Sequence, residues 1–75
     1  MFSKKNFSAR LKQLRCSKNL SLQSLAAELN VSKQIIGHWE TEYRIPPLDK
    51  AVLIADFFDV SLDYLIGRSD DPKRY

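Results

Sequence analysis

Residues 22–40 read LQSLAAELNVSKQIIGHWE, and the way this stretch divides decides the fold. Leu22, Leu25, Ala26 and Leu29 recur at i, i+3, i+4 and i+7, the spacing of one helical face. Asn30-Val31-Ser32 interrupts that pattern. Asn tolerates the left-handed backbone that commonly stops a helix, and Ser32 is a candidate cap for the next one. From about Lys33 to Thr41 the spacing is helical again. Stepping about 100° per residue puts Ile35, Ile36 and Trp39 on one arc and Lys33, Gln34, Gly37, His38 and Thr41 on the other. Two short helices joined by three residues read as a helix-turn-helix. Such a pair cannot bury both apolar faces by itself, so the rest of the chain must complete a core.

Upstream, Phe7, Leu11 and Leu14 at i, i+4 and i+7 predict a first helix over about 7–18, with Asn6 as its N-cap. Residues 1–6 are then an N-terminal arm. Ser21 is the candidate cap of the second helix. Downstream, Glu42-Tyr43-Arg44-Ile45-Pro46-Pro47 reads as a loop, because two prolines forbid a continued helix. Leu48, Ala51, Val52, Ala55 and Phe58 mark the stripe of a fourth helix over about 48–58, with Asp49 well placed for its dipole. Ser61 opens a short fifth helix over about 62–66, and Gly67 ends it. Residues 68–75 are polar and expected as a flexible tail. No stretch alternates long enough to argue for a strand. The expectation is an all-α, compact five-helix domain over residues 7–67.

Bulk properties narrow the function. Seventy-five residues suit one small core and leave no room for a large active-site cavity. No run approaches the roughly 18 apolar residues of a membrane span, and MFSKKNFS lacks the apolar stretch of a signal peptide. The single cysteine, Cys16, cannot form an internal disulfide, which fits a reducing compartment. The expected address is the cytoplasm. His38 is the only histidine, and no ligand-spaced cluster surrounds it. There is no nucleophile–base constellation and no Gly-rich phosphate loop. Enzymatic activity, a metal, a cofactor and a small-molecule ligand are therefore not expected.

Charge is unevenly spread. Residues 1–27 hold Lys4, Lys5, Arg10, Lys12, Arg15 and Lys18 and no acid, whereas the whole chain carries only +3. A basic half joined to an acidic half suggests a polyanion on one side; the alternative is a solvated surface. The polar arc of 33–41 sharpens the choice. Lys donates to guanine O6 and N7, Gln pairs with adenine N6 and N7, and His donates to a guanine acceptor or a phosphate. Gly37 costs about 1 kcal/mol against alanine in a helix. That cost has a reason if a side chain there would stand between helix and bases. An ordinary polar helix face is the competing explanation.

Residues 10–67 resemble the Cro/C1-type (XRE) helix-turn-helix domain of phage repressors and bacterial regulators. The pieces R-L-K-x-L-R, L-A-x-x-L-x-V-S, W-E, R-x-P and I-A-x-F-F-x-V-S-L-D-Y-L-I-G occur in the family's order and spacing. The resemblance implies a five-helix, lambda-repressor-like fold whose third helix lies in the major groove. Carried over by position, it implies base reading by Lys33, Gln34, Gly37 and His38. It implies phosphate contacts from helix N-termini and the loop after the third helix, with Gln23, Ser32, Thr41, Tyr43 and Arg44 as candidates. Lys4, Lys5 and Arg10 would add less specific attraction. It implies a supporting Arg15–Glu40 pair, a small Ala26 where the two helices cross, and a core Trp39. It further implies double-stranded DNA as partner, a homodimer, and a bacterial or phage-encoded, nucleoid-associated transcriptional regulator. The apolar last helix (Leu62, Tyr64, Leu65, Ile66) is the candidate pairing face unless all four residues pack inward. Repression is expected over activation because a chain this small can block polymerase by occupying DNA.

Three positions depart from the family pattern. Leu22 stands where Gln is frequent, with Gln23 next to it. Asn30 stands in the tight turn where Gly is frequent. Thr41-Glu42 replaces a frequent Asn-Gly, and a carboxylate at Glu42 would repel phosphates. A protein–protein module on the same fold, such as an anti-repressor or antitoxin, is the main rival function. An anionic-membrane surface protein is a weaker one, because the first helix lacks a broad apolar face.

Overall fold

Four serines set four helix starts. In a computed structural model that describes residues 3–74, the hydroxyls of Ser3, Ser21, Ser32 and Ser61 accept from the backbone N–H groups of Asn6, Ser24, Ile35 and Tyr64, at 3.0–3.2 Å. Each bond satisfies one of the orphan donors of a first helical turn. The helices are α1 (Lys4–Ser17), α2 (Leu22–Leu29), α3 (Lys33–Glu40), α4 (Leu48–Phe58) and α5 (Leu62–Leu65), and no strand occurs among the described residues. Helix α4 follows Pro47 without a side-chain cap. Asn30 and Asp59 end α2 and α4 in the left-handed conformation, at φ 57° and 56°.

Helix α1 begins three residues before the expected start. Ser3 is the cap, and Asn6 lies within the first turn. Lys4, Lys5 and Asn6 thus belong to the helix and not to an arm; residues 1 and 2 lie outside the described residues. The first turn carries no acid, so the charge signal that usually marks a helix start is missing. Phe7 and Leu11 are fully buried as their spacing requires, with Leu14 packed beside them.

In α4 the buried stripe is Ala51, Ile54, Ala55 and Phe58, while Leu48 and Val52 are exposed. The expected stripe therefore needs correction at Leu48 and Val52. The apolar residues of LDKAVLIADFF spread beyond one stripe, so their spacing alone admits two registers, and the charges of Asp49, Lys50 and Asp56 mark the outer face. The structure takes the one centred on Ile54. Helix α5 stops at Leu65, and Gly67 follows at φ 85°. A Cβ on Gly67 would sit 2.5 Å from the Cβ of Asn6, so α1 approaches this turn too closely for any other residue.

Residues 68–74, expected as a flexible tail, run back over the body; residue 75 lies outside the described residues. The N–H of Ser61 donates to the Pro72 carbonyl at 2.9 Å, and Arg74 pairs with Asp56 and Asp59. One core, built on Phe7, Leu11, Leu25, Leu29, Ile36, Ile54 and Leu65, joins all five helices.

Candidate nucleic-acid interface

The turn between α2 and α3 is built from backbone. Asn30 takes φ 57°, ψ 46°, its N–H donates to the Ala27 carbonyl, and the Val31 N–H donates to that of Ala26. Ala26 is buried, and its small side chain permits the close packing of α2 against α3. Leu22 is half-buried against the core, whereas Gln23 is exposed.

Helix α3 divides as its 3.6-residue period requires. Ile36 and Trp39 are buried and Ile35 packs partly against the core. Lys33 and Gln34 are exposed; Gly37 and His38 are half-exposed between the two faces. A Cβ built on Gly37 meets nothing within 4 Å. Nothing among the described residues therefore requires glycine at this position.

Helix α1 holds α3 at its C-terminal end. The Ser8 hydroxyl, itself buried, donates to the Trp39 carbonyl at 2.6 Å. The Arg15 guanidinium donates to both carboxylate oxygens of Glu40, at 2.7 and 3.1 Å, and to the Leu20 carbonyl at 2.8 Å. The Arg15 and Glu40 side chains are only 14% and 6% exposed, so the pair is no surface ion pair of marginal worth. The hydrogen bonds to Glu40 hold the Arg15 guanidinium above its ordinary range, against a smaller opposing effect of burial. Ser8 gave no signal in the sequence: one serine beside Phe7 resembles any solvent-facing residue.

The loop after α3 folds onto that helix end. The N–H groups of Tyr43 and Arg44 both donate to the His38 carbonyl, at 3.1 and 3.2 Å. The Tyr43 ring lies 4.8 Å from the His38 imidazole, tilted by 56°, and the Arg44 guanidinium sits 5.6 Å from the Tyr43 ring. Gln34, His38, Thr41, Glu42, Tyr43 and Arg44 together line an open cleft. Two of the four predicted base readers and three of the five predicted phosphate contacts thus share one concavity. Lys33 and Ser32 lie at the start of the same helix, and Gln23 stands apart on α2. Ser32 already serves as the cap of α3. Thr41 spends its donors inward: its N–H and its hydroxyl both donate to the Gly37 carbonyl, at 3.1 and 2.9 Å. A phosphate contact from Thr41 therefore requires its hydroxyl to leave that bond.

One charge, on Arg10, behaves differently from the sequence reading, and a second, on Glu42, stands on an unusual backbone. Arg10 is not free to attract a polyanion. It donates to the Tyr64 carbonyl at 3.0 Å, stacks 3.8 Å from the Tyr64 ring centroid, and lies 3.7 Å from Asp70. It pins α5 and the tail to α1. Glu42 occupies the left-handed region at φ 66° and forms no ion pair among the described residues. The loop keeps a glycine-like bend here with a side chain that dislikes it. Among the described residues no group of three His, Cys, Asp or Glu side chains is placed to hold a metal ion. Among the described residues no helix is long and apolar enough to cross a membrane either.

Known proteins share this arrangement. A helix-turn-helix family model matches residues 11–65. The chain is 44% identical over 63 residues to the HTH-type transcriptional regulator YobD of Bacillus subtilis (strain 168), covering 84% of this chain and 56% of that protein. It is 42% identical over 59 residues to the HTH-type transcriptional regulator AnsR of the same organism, covering 79% of this chain and 51% of that one. This chain thus spans about half the length of these relatives. The solution structure of the SOS-response transcriptional repressor LexA from Eubacterium rectale superimposes with a TM-score of 0.80 at 27% identity, over 84% of this chain and 67% of that one. By matched residues, fold and the α2–turn–α3 geometry, the chain belongs to the helix-turn-helix family.

Proposed function

We propose that this chain is a transcriptional regulator that binds double-stranded DNA by laying α3 in the major groove. The observation that carries the reading is Gly37. It sits mid-helix at a cost of about 1 kcal/mol, where a methyl group would meet nothing, so the reason for glycine lies outside the folded chain. A groove wall pressed against that backbone supplies the reason. Lys33, Gln34 and His38 flank it as base readers. Arg44, Tyr43, Gln23 and Ser32 are the phosphate contacts, joined by Thr41 once its hydroxyl leaves the Gly37 carbonyl, and they set the depth and tilt of the helix. Arg15, Ser8 and Glu40 keep α3 rigid against that load. Repression is the proposed mode, in keeping with the LexA likeness: a small domain on DNA blocks polymerase by occupancy alone.

The active form in this reading is a homodimer on two half-sites one helical turn apart, about 34–36 Å. The face proposed for pairing keeps Leu62 and Ile66 of the one expected on the last helix and loses Tyr64 and Leu65. Leu65 is buried and Tyr64 is covered by Arg10. Apart from Tyr43 in the α3 cleft, the exposed large apolar residues among the described ones are Ile45, Leu48, Val52 and Leu53, and Leu48 is 72% exposed beside a groove lined by Pro46, Leu62 and Ile66. A ridge beside a groove suits a self-complementary two-fold contact.

Selection from a random-sequence duplex pool, followed by a salt titration on the winner, tests the reading. A two-fold symmetric site whose affinity falls steeply with salt is the expected result. Binding with no preferred sequence, or an interaction indifferent to salt, would move the chain to the protein-partner class.

A further inference from the structure

His38 is set apart from the other outward residues of α3. Its Nδ1 is shut off from solvent and has no hydrogen-bond partner among the described residues. Its Nε2 makes no hydrogen bond either and is the open polar atom of the ring. A neutral imidazole carries one N–H and one lone pair, and surroundings decide which nitrogen has which. A buried N–H with no acceptor is the rarer and costlier defect; an unfilled acceptor is better tolerated. The lone pair therefore belongs on Nδ1 and the hydrogen on Nε2.

This has a consequence for reading DNA, and it rests on the proposed placement of α3 in the groove. We infer that His38 is a fixed hydrogen-bond donor that selects an acceptor edge, guanine foremost, and rejects cytosine. An exposed histidine can exchange tautomers and accept instead. Here that exchange would put an N–H on the closed-off Nδ1. Guanine shows two acceptors in the major groove, O6 and N7, whereas cytosine shows only the N4 donor. Gln34 lies one turn earlier and lines the same cleft, but its amide turns either a donor or an acceptor outward. The two residues therefore differ in kind: Gln34 adapts, and His38 does not.

Two measurements test this. His38 is the only histidine of the chain, so its ring nitrogens are assigned without ambiguity in a long-range proton–nitrogen NMR spectrum. With the imidazole neutral, the expected spectrum shows Nε2 protonated and Nδ1 bare. A protonated Nδ1, or an even mixture, overturns the inference. The second measurement repeats the duplex selection with wild type and His38→Ala. The expected outcome is one guanine-dominated position in the wild-type site whose preference over cytosine drops about tenfold in the variant, the other positions holding. A wild-type site with no position that responds to His38→Ala overturns the inference and leaves the DNA reading standing. A wild-type protein that enriches no site at all overturns both.

Discussion

The Arg15 guanidinium and the Glu40 carboxylate face each other in two parallel hydrogen bonds, 2.7 and 3.1 Å long, between α1 and the last residue of α3. The pair orients the helix that carries the candidate base readers, and both side chains are nearly closed off from water. Its value lies in what its loss leaves behind. Arg15→Ala would strand a buried carboxylate and free the Leu20 carbonyl, so we expect a loss of about 2–4 kcal/mol in denaturant unfolding. Arg15→Met combined with Glu40→Leu removes both charges, and the double variant is expected to be more stable than Arg15→Ala. If Arg15→Ala unfolds within about 0.5 kcal/mol of wild type, the pair contributes nothing to holding α3.

Gly37 separates stability from function. Since a Cβ there meets nothing in the free chain, Gly37→Ala should stabilise the protein by about 1 kcal/mol through helix propensity, a rise in Tm of about 4–8 °C. The same methyl should weaken binding to the selected duplex, about tenfold, if the backbone there meets the groove wall. Gly37→Glu should abolish binding with the fold intact by circular dichroism. Parallel changes in stability and affinity would show that α3 does not enter the groove at this residue.

Glu42 combines two costs, a left-handed backbone and an unpaired carboxylate beside Arg44 and Tyr43. Glu42→Gly relieves the backbone and should add about 1 kcal/mol of stability. Glu42→Gln keeps the strain and removes only the charge. It should leave Tm nearly unchanged and tighten DNA binding at low salt, with the advantage shrinking as salt rises. Equal DNA affinity for Glu42→Gln and wild type at low ionic strength would place the loop away from the phosphates.

Gln34 is exposed on the first turn of α3, and its side chain makes no hydrogen bond among the described residues. Gln34→Ala should relax base preference at one position of the site, costing about 1–3 kcal/mol there and little in stability. Unchanged preference at every position removes Gln34 from the reading set.

How legible these features were depends on the physics behind each. The α2–turn–α3 unit could be read because three independent signals agree on it: apolar spacing, Asn30 at the left-handed stop, and Ser32 at the cap. The polar arc of α3 followed from geometry alone. The start of α1 could not be read as well, because Ser3 and Asn6 are both good caps and the choice between them turns on packing. In α4 the phase lies in the charges: Asp49, Lys50 and Asp56, at i, i+1 and i+7, mark the outer face opposite Ile54 and Phe58, whereas apolar spacing alone puts Leu48 and Val52 inside although they face out. Ser8 and Arg10 act across long sequence separations, on Trp39 and on Tyr64. Polar contacts of that range leave no periodic trace.

Leu48 carries the last prediction. It projects from the first turn of α4 with Val52 one turn on, beside the groove of Pro46, Leu62 and Ile66. If a second copy covers this face, Leu48→Glu places a carboxylate on each side of a two-fold contact and desolvates both. The folded monomer has no reason to suffer, since Leu48 is already in water there. Three readings should then move together. The variant keeps wild-type Tm at low protein concentration, sediments as a monomer where wild type pairs, and loses about a hundredfold in affinity for the full symmetric site. Binding to an isolated half-site should be unaffected, because α3 and its anchors on α1 lie on other elements. Full affinity for the symmetric site in Leu48→Glu would mean that pairing, if it occurs, uses a different surface.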